Sequence, residues 1–404
     1  MLTPIPLLIN WLLGLLSLAI LALAVWLLYT AAHRWSHYRR QNRLPNTLQG
    51  TRVQENVPGT LRPAPDEWWR HPGIRNPLIA GAVLLLLTFV GGRLVLLAYP
   101  GGQDEPNSMR VGASKNLTRS DGTVIHTETY GPAGAPVLLF THGWGTSSTE
   151  WYYAKRHLAD RFRLIFWDLP GLGESDQPRD RNFALEQMAS DLHAVLGLAD
   201  GKRVLLVGHS IGGMINLTFC RLYPELVGKQ IAGIAQLDTT FTNPVRTTKG
   251  ASFSLAIQKP IAEPVLYAMI PLSPLVRVMN WLSYQNGLTH LHNAQSSFAG
   301  SETRGHLDLV SRYQYRSSPA VVARGTLAMF HWDATAVLPH VNTPVLLMVG
   351  QQDTTTLPSA SEYMKQSIPN ARLQRVSPSA HYGLLEQNNT YDAALAQFAS
   401  AHLL

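Results

Sequence analysis

The first 33 residues contain no Asp, Glu, Lys or Arg, and from Ile5 to Tyr29 they are dense in Leu, Ile, Ala and Trp. A helix needs about 20 apolar residues to cross a hydrocarbon core about 30 Å thick, so this run is long enough to span a bilayer. A second apolar run begins at Pro77, passes through Leu84, Leu85, Leu86 and Leu87, and ends near Tyr99 and Pro100. Arg93 alone interrupts it, close enough to the far end for its stem to snorkel toward headgroups. We therefore expect spans over about 5–30 and 77–99. A cleaved signal peptide is the rival for the first, but the basic n-region and short apolar core it requires are missing. A buried core helix is the rival for the second, kept open by Gly91-Gly92 and Arg93.

These runs account for the composition. Only 15% of the 404 residues are charged, against roughly 25% in ordinary soluble proteins. Disorder is excluded because such chains are polar and charged, and a disulfide-stapled module is excluded by the single cysteine. The net charge of +7 is also localised: residues 31–76 carry eight Arg against Glu55, Asp66 and Glu67, a net +5. Short Arg-rich loops stay in the cytoplasm, so the hairpin predicts a multi-pass cell-membrane protein with the chain beyond about residue 100 outside the cytoplasm. The loop reads as a solvated linker on anionic headgroups; with no accompanying motif, no nucleic-acid partner is expected, and no protein partner is implied.

Residues 1–108 thus form the expected membrane anchor and 109–404 a globular domain. In the latter, Pro136–Thr141, Arg163–Trp167, Val204–Val207 and Val345–Val349 are continuous apolar runs, as in parallel strands covered on both faces, and Thr123–Tyr130 alternates like a half-exposed strand. Segments of helical composition separate them: Glu150–Asp160, Ala184–Leu198, Ile211–Tyr223, Ser359–Ser367 and Tyr391–Leu403. Strand and helix in alternation predict an α/β fold with a doubly wound, mostly parallel sheet. From about 241 to 333 no strand is evident and prolines punctuate an apolar stretch, so a helical cap is expected there.

Val204–Val207 runs into Gly208-His209-Ser210-Ile211-Gly212 and a helical segment follows at once. This is G-x-S-x-G between a strand and a helix, the setting in which a tight turn projects a serine hydroxyl from the edge of a sheet. A serine needs a base to take its proton, and the base needs an acid to hold its tautomer. The chain order Ser, acid, His is met by Ser210, Asp353 after the strand Val345–Val349, and His381 after Arg372–Val376. Asp238, after the apolar run Ile231–Leu237, is an alternative acid. Ile211 and Trp144, the latter in His142-Gly143-Trp144-Gly145 after Pro136–Thr141, offer backbone N–H groups for an oxyanion hole.

With these motifs in this order, the sequence resembles the cap-bearing esterase, lipase and epoxide-hydrolase-like branch of the α/β-hydrolase family, over residues 109 to 404. Asp168-Leu169-Pro170-Gly171-Leu172-Gly173-Glu174-Ser175-Asp176, Gly350-Gln351-Gln352-Asp353, and Glu386 five residues after His381 add to the likeness. It implies Ser210 as nucleophile, His381 as base, Asp353 as orienting acid, and Trp144 and Ile211 as oxyanion donors. Ala380, where the family usually has Gly, and Gln387-Asn388, where it has a proline, depart from the pattern in loop geometry. The reaction implied is hydrolysis of a carboxylic ester through an acyl-enzyme, with an apolar cap and membrane tether pointing to a lipid or other hydrophobic ester. A C–C bond hydrolase, a perhydrolase and a non-catalytic binding module are the alternatives. Asp168, Asp176 and His209 are expected to be structural, Cys220 a small buried hydrophobe, and His33 and His37 interfacial. No metal or other cofactor is indicated.

Overall fold

The protein's computed structural model describes residues 4–42, 67–107 and 110–404. Two helices lead: α1 (Pro4–Asn42) and α2 (Pro72–Leu97), both long and apolar enough to cross a membrane. α1 continues well past the end expected near residue 30, carrying Arg34, Arg39 and Arg40 on a polar extension. α2 starts at Pro72 and holds Pro77 inside. Proline removes the N–H that would bond the carbonyl four residues back, and here the Gly73 carbonyl accepts instead from Arg34 of α1 at 2.9 Å. The helices also meet where a Cβ on Gly81 would lie 2.9 Å from Leu28 Cγ and 3.0 Å from the Ala24 carbonyl oxygen, the small-residue contact that lets apolar helices approach closely. Of the basic loop, Arg43, Arg52, Arg62, Glu55 and Asp66 lie outside the described residues, as does the 108/109 boundary.

The sheet has eight strands: β1 (Ala113–Thr118), β2 (Val124–Tyr130), β3 (Val137–Thr141), β4 (Arg163–Trp167), β5 (Val204–His209), β6 (Ile231–Leu237), β7 (Val345–Gly350) and β8 (Ala371–Val376). Their order is β1-β2-β4-β3-β5-β6-β7-β8, with β1 and β2 antiparallel at one edge and the rest parallel. Crossover helices are α3 (Tyr152–Leu158), α4 (Leu185–Leu196) and α5 (Ile211–Leu222). Alternation of side chains along each strand explains the continuous apolar runs. Val137, Leu139, Val204 and Leu206 pack with α4 and α5, whereas Leu138, Phe140, Leu205 and Val207 pack with α3 and the C-terminal helix on the opposite face. Each such fully buried side chain is worth roughly 1.5–3 kcal/mol. β1 has no counterpart among the expected strands; its exposed residues carry no apolar pattern and register with β2 alone makes it a strand.

Between β6 and β7 the chain leaves the sheet for a wholly helical insertion: α6 (Ala251–Ile257), α7 (Glu263–Met269), α8 (Ser273–Gln285), α9 (Leu288–Ser297), α10 (Arg304–Arg316) and α11 (Pro319–Phe330). A bridge between Thr242 and Asp333 and the Ala334 N–H donated to the Phe241 carbonyl (2.9 Å) close its base. The chain ends with α12 (Pro358–Ser367), the single turn α13 (Gly383–Glu386) and α14 (Asn388–Leu403).

The insertion is docked on the N-terminal hairpin. A Cβ on Gly92 would lie 2.4 Å from the Tyr284 carbonyl oxygen at the end of α8, and one on Gly14 would lie 2.8 Å from Met279 Cε. Ser17 bonds Ser283 and Asn286, both at 2.8 Å. Thus the N-terminal half of α1 and the C-terminal half of α2 face the globular domain. Arg34, Arg39, Arg40, Arg70 and Arg75 sit at the hairpin's other end.

Candidate active site

Ser210 stands at the turn from β5 into α5 with φ of 54°, a left-handed conformation that costs a non-glycine residue free energy and is kept only where its surroundings enforce it. The flanking glycines are dictated by contact. A Cβ on Gly208 would lie 2.4 Å from the Gly212 carbonyl carbon, and one on Gly212 would lie 2.2 Å from the Thr141 carbonyl oxygen. The Ser210 N–H donates to the Leu237 carbonyl (3.0 Å), locking the turn to β6.

The structure brings His381 and Asp353 to this serine. His381 Nε2 lies 3.2 Å from Ser210 Oγ, and its Nδ1 lies 2.8 Å from Asp353 Oδ2. Asp353 also accepts from the Thr355 N–H (2.7 Å), the Thr356 N–H (3.0 Å) and the Thr356 hydroxyl (2.7 Å), so the carboxylate has one orientation. With Nδ1–H donated to Asp353, Nε2 presents its lone pair to the serine. Burial pushes the imidazole below its usual range, Asp353 opposing, and leaves it neutral near pH 7.

Asp238 lies behind this group. Its Oδ1 accepts from the Gly350 N–H (2.7 Å) and its Oδ2 from the Tyr391 hydroxyl (2.9 Å). Burial, then the neighbouring Asp353 charge, pushes its carboxyl well above the ordinary range. Of the two candidate acids, Asp353 is the one in contact with the imidazole.

Trp144 lines the cavity over Ser210. Its indole Nε1 donates to the Val322 carbonyl (3.0 Å), and the Ser317 hydroxyl donates to the Gly145 carbonyl (2.7 Å), so α11 and the end of α10 hold this loop. Ile211 is the first residue of α5, a position whose N–H has no intrahelical acceptor. Asp168 accepts from the Ser148 and Glu174 N–H groups (2.8 and 2.9 Å), and Asp176 from the Val124 N–H (3.3 Å). Both therefore organise loops. Cys220 is buried in α5, which raises its thiol to about 12. His33 and His37 bond one another at 3.2 Å on α1. Among the described residues there is no group of three or more side chains able to hold a metal ion.

Sequence reasoning passed over Glu150. Its carboxylate accepts from the Gly143 N–H (2.8 Å) and the Thr146 hydroxyl (2.6 Å) and pairs with His209 Nδ1 (3.0 Å). His209 Nε2 in turn reaches the His381 carbonyl oxygen at 3.0 Å. One buried acid therefore ties the Trp144 loop to the backbone of His381. Burial works against the His209 charge, but Glu150 prevails and the imidazole titrates above its usual range. Glu386 does similar work on the other side, accepting from the Ala380 (3.0 Å) and Ala299 (2.7 Å) N–H groups and so joining the His381 loop to the cap. With Ala380 and Gln387-Asn388 in place, His381 still reaches Ser210.

Helices α9 and α10 roof the site with Asn293, Val310, Tyr313 and Gln314. Beside it, sharing Thr146 and Tyr313, lies a polar cavity of about 310 Å³ ringed by Arg110, Glu174, Arg312 and Arg316.

Residues 136–256 match the alpha/beta hydrolase fold family. An uncharacterised protein of Mycobacterium tuberculosis is 38% identical over 96 residues, 24% of this chain and 28% of its own, so the chain spans little more than a quarter of that relative. Epoxide hydrolase 4 of Mus musculus is 25% identical over 270 residues, 65% of this chain and 73% of its own. Among solved structures, an esterase from Thermogutta terrifontis superposes with a TM-score of 0.57 at 25% identity, over 73% of this chain and all of that one. An esterase from Exiguobacterium antarcticum gives 0.58 at 22%, over 71% of this chain and all of its own. Sheet order, serine turn, cap position and these likenesses agree, and the chain has the α/β-hydrolase fold.

Proposed function

We propose that this protein is a membrane-anchored serine hydrolase that cleaves carboxylic esters of hydrophobic or lipid character. The observation that carries the reading is the connected line Ser210 Oγ, His381 and Asp353, at 3.2 and 2.8 Å. His381 takes the Ser210 proton as the oxygen attacks the ester carbonyl. The N–H groups of Trp144 and Ile211 stabilise the tetrahedral oxyanion, each such donor being worth about 3 kcal/mol of barrier. The alcohol leaves with the proton from His381, and water activated by the same base releases the acid from Ser210. Epoxide opening in this fold uses Asp in place of the nucleophile, and the turn here carries Ser210.

Anchoring rests on α1 and α2, and the side of the membrane on charge. Arg34, Arg39, Arg40, Arg70 and Arg75 sit at the hairpin end away from the globular domain, and this charge supports a topology with that end in the cytoplasm and the globular domain outside. A reporter fused after Leu404 is expected to be active only outside the cytoplasm; activity inside reverses the topology. For the chemistry, Ser210→Ala is expected to abolish labelling by a fluorophosphonate probe and to lower p-nitrophenyl butyrate turnover by about four orders of magnitude or more. Unchanged turnover in the purified variant rejects the serine mechanism.

A further inference from the structure

A further, narrow cavity lies between the N-terminal part of α1 and the cap, walled by Leu7 and Trp11 on one side and Met269, Val276 and Met279 on the other. Gln314 borders both this cavity and the one over Ser210. Val322 and Ser317, which also line it, are the residues that hold Trp144 and Gly145. The apolar cavity therefore abuts the expected oxyanion loop from the membrane side.

Two polar side chains stand at this border. Gln314 Nε2 donates to Asn10 Oδ1 at 2.7 Å, and both residues are buried, 4% and 7% exposed. The remaining atoms of the pair, Asn10 Nδ2 and Gln314 Oε1, have no hydrogen-bond partner, and neither does Trp11 Nε1 beside them. Whichever way the two amides are turned, one donor and one acceptor are left over. Buried polar groups without partners cost free energy, so in a native protein each calls for an occupant or a role. An aliphatic wall interrupted by one unsatisfied donor–acceptor pair suits an amphiphile, with hydrocarbon along most of its length and oxygens at one point.

The surface around this cavity is of the same kind. The helical segment Ala251–Met269 and helix α8 meet at 98° and together are apolar enough for a broken span or re-entrant segment. Phe253, Ile261, Tyr267, Leu275 and Val278 stand exposed on this bent pair, beside a helix that is itself apolar enough to lie in lipid.

We propose that the cavity between α1 and the cap is the chain-binding site for a long-chain ester that reaches Ser210 sideways from the bilayer, with Asn10 and Gln314 as the latch it opens. The proposal rests on the serine-hydrolase reading above. The cavity as it stands measures about 20 Å³, room for one water, so Leu7, Met269, Val276 and Met279 part to take the hydrocarbon chain as the latch opens, and the ester or alcohol oxygens meet the free amide atoms as they pass toward the Trp144 loop. The polar cavity at Arg110 and Arg312 is then the way out for the water-soluble product.

The test uses the full-length protein in lipid nanodiscs and a dodecyl fluorophosphonate bearing a diazirine at the end of its chain. The phosphonate bonds to Ser210 with loss of fluoride, and light then records where the chain lies. Crosslinks on peptides containing Leu7–Trp11 or Met269–Asn280 are expected. A Ser210 adduct whose crosslinks fall on the Gly171–Glu174 loop, or on lipid alone, overturns the chain site while leaving the hydrolase reading intact. Absence of the adduct overturns both. As a second measurement, Val276→Phe narrows the cavity, and the ratio of kcat/KM for p-nitrophenyl dodecanoate to that for the butyrate is expected to fall about tenfold, roughly what loss of two buried methylenes costs. An unchanged ratio overturns the proposal.

Discussion

The cavity over Ser210 has two sides built on different principles. On the sheet side, Asp353, Glu150 and Asp238 each bond specified partners, and the serine conformation is enforced by backbone contacts at Gly208 and Gly212. On the cap side Asn293, Val310, Tyr313 and Gln314 form the roof, and Gln314, with Asn10 and Trp11 behind it, leaves buried polar atoms without partners. A fully satisfied network in a low-dielectric interior holds one geometry, whereas a partly satisfied one has alternatives of similar energy. The contrast teaches a division of labour: the sheet side fixes where the reacting atoms sit, and the cap side decides what reaches them.

The most severe way to break this comparison is to disturb the sheet side without changing its shape. Asp353→Asn keeps the volume but offers His381 Nδ1 an amide donor, which favours the tautomer with its proton on Nε2, facing Ser210. Such a change is expected to lower kcat by about four orders of magnitude. Asp238→Asn is the matched control. Burial pushes that carboxyl well above the ordinary range, toward the neutral form that asparagine imitates, and asparagine can still accept from Gly350, so kcat is expected to stay within about tenfold. Steady-state kinetics on purified protein separates the two. An equal loss for both would make the buried acids one functional unit and end the distinction between contact acid and supporting acid.

A pH titration tests the joint between the sides. His306 of α10 accepts the Thr303 N–H on Nδ1 (3.2 Å) and bonds the Tyr153 hydroxyl through Nε2 (2.8 Å), while Tyr153 donates to the Asp104 carbonyl (2.8 Å). A proton on Nδ1 would set two donors against each other. Burial accordingly lowers this histidine to about 4. Its unfolded form titrates near 6.5, so the unfolded chain binds more protons between the two values and stability falls as pH falls. The contribution is full above about pH 6.5 and is lost on descending through about 4, a change of up to about 3 kcal/mol. Thermal melts of wild type and His306→Gln from pH 7 to 4 should converge as pH drops. Parallel curves would remove the titrating joint.

The serine turn was legible because its glycines are demanded by backbone contact and therefore must appear as letters in the chain. That Ser210, Asp353 and His381 come to one sheet edge was legible because each follows a recognisable strand. The choice between Asp238 and Asp353 was not, because β6 and β7 are neighbours and each is followed by an aspartate at the same sheet edge; only side-chain direction separates them. Glu150 was missed because a lone acid after a Ser/Thr-rich turn looks like helix-start chemistry, and its partners Gly143 and His209 are brought together only by folding. β1 carries no apolar alternation to read. The docking of the hairpin on the cap was hidden for another reason: small residues such as Gly14, Ser17, Gly91 and Gly92 are common in apolar helices, and their partners lie about 190 to 270 residues further along the chain.

That docking supplies the mildest test, directed at the cap side alone. The Ser17 hydroxyl donates to the Leu13 carbonyl (2.8 Å) and so must accept from both Ser283 and Asn286. Ser17→Ala leaves those two donors facing a methyl group without altering the helix or creating a clash. Hydrogen bonds between apolar helices average about 0.6 kcal/mol because the loosened state finds other partners, so a loss of about 1 kcal/mol is expected, seen as a small drop in Tm in detergent. Labelling of Ser210 by a short fluorophosphonate should be retained, since the sheet side is untouched. A loss several times larger would mean that the hairpin and cap are as tightly specified as the catalytic side; no loss would mean that the close backbone contacts at Gly14 and Gly92 carry the joint by packing alone.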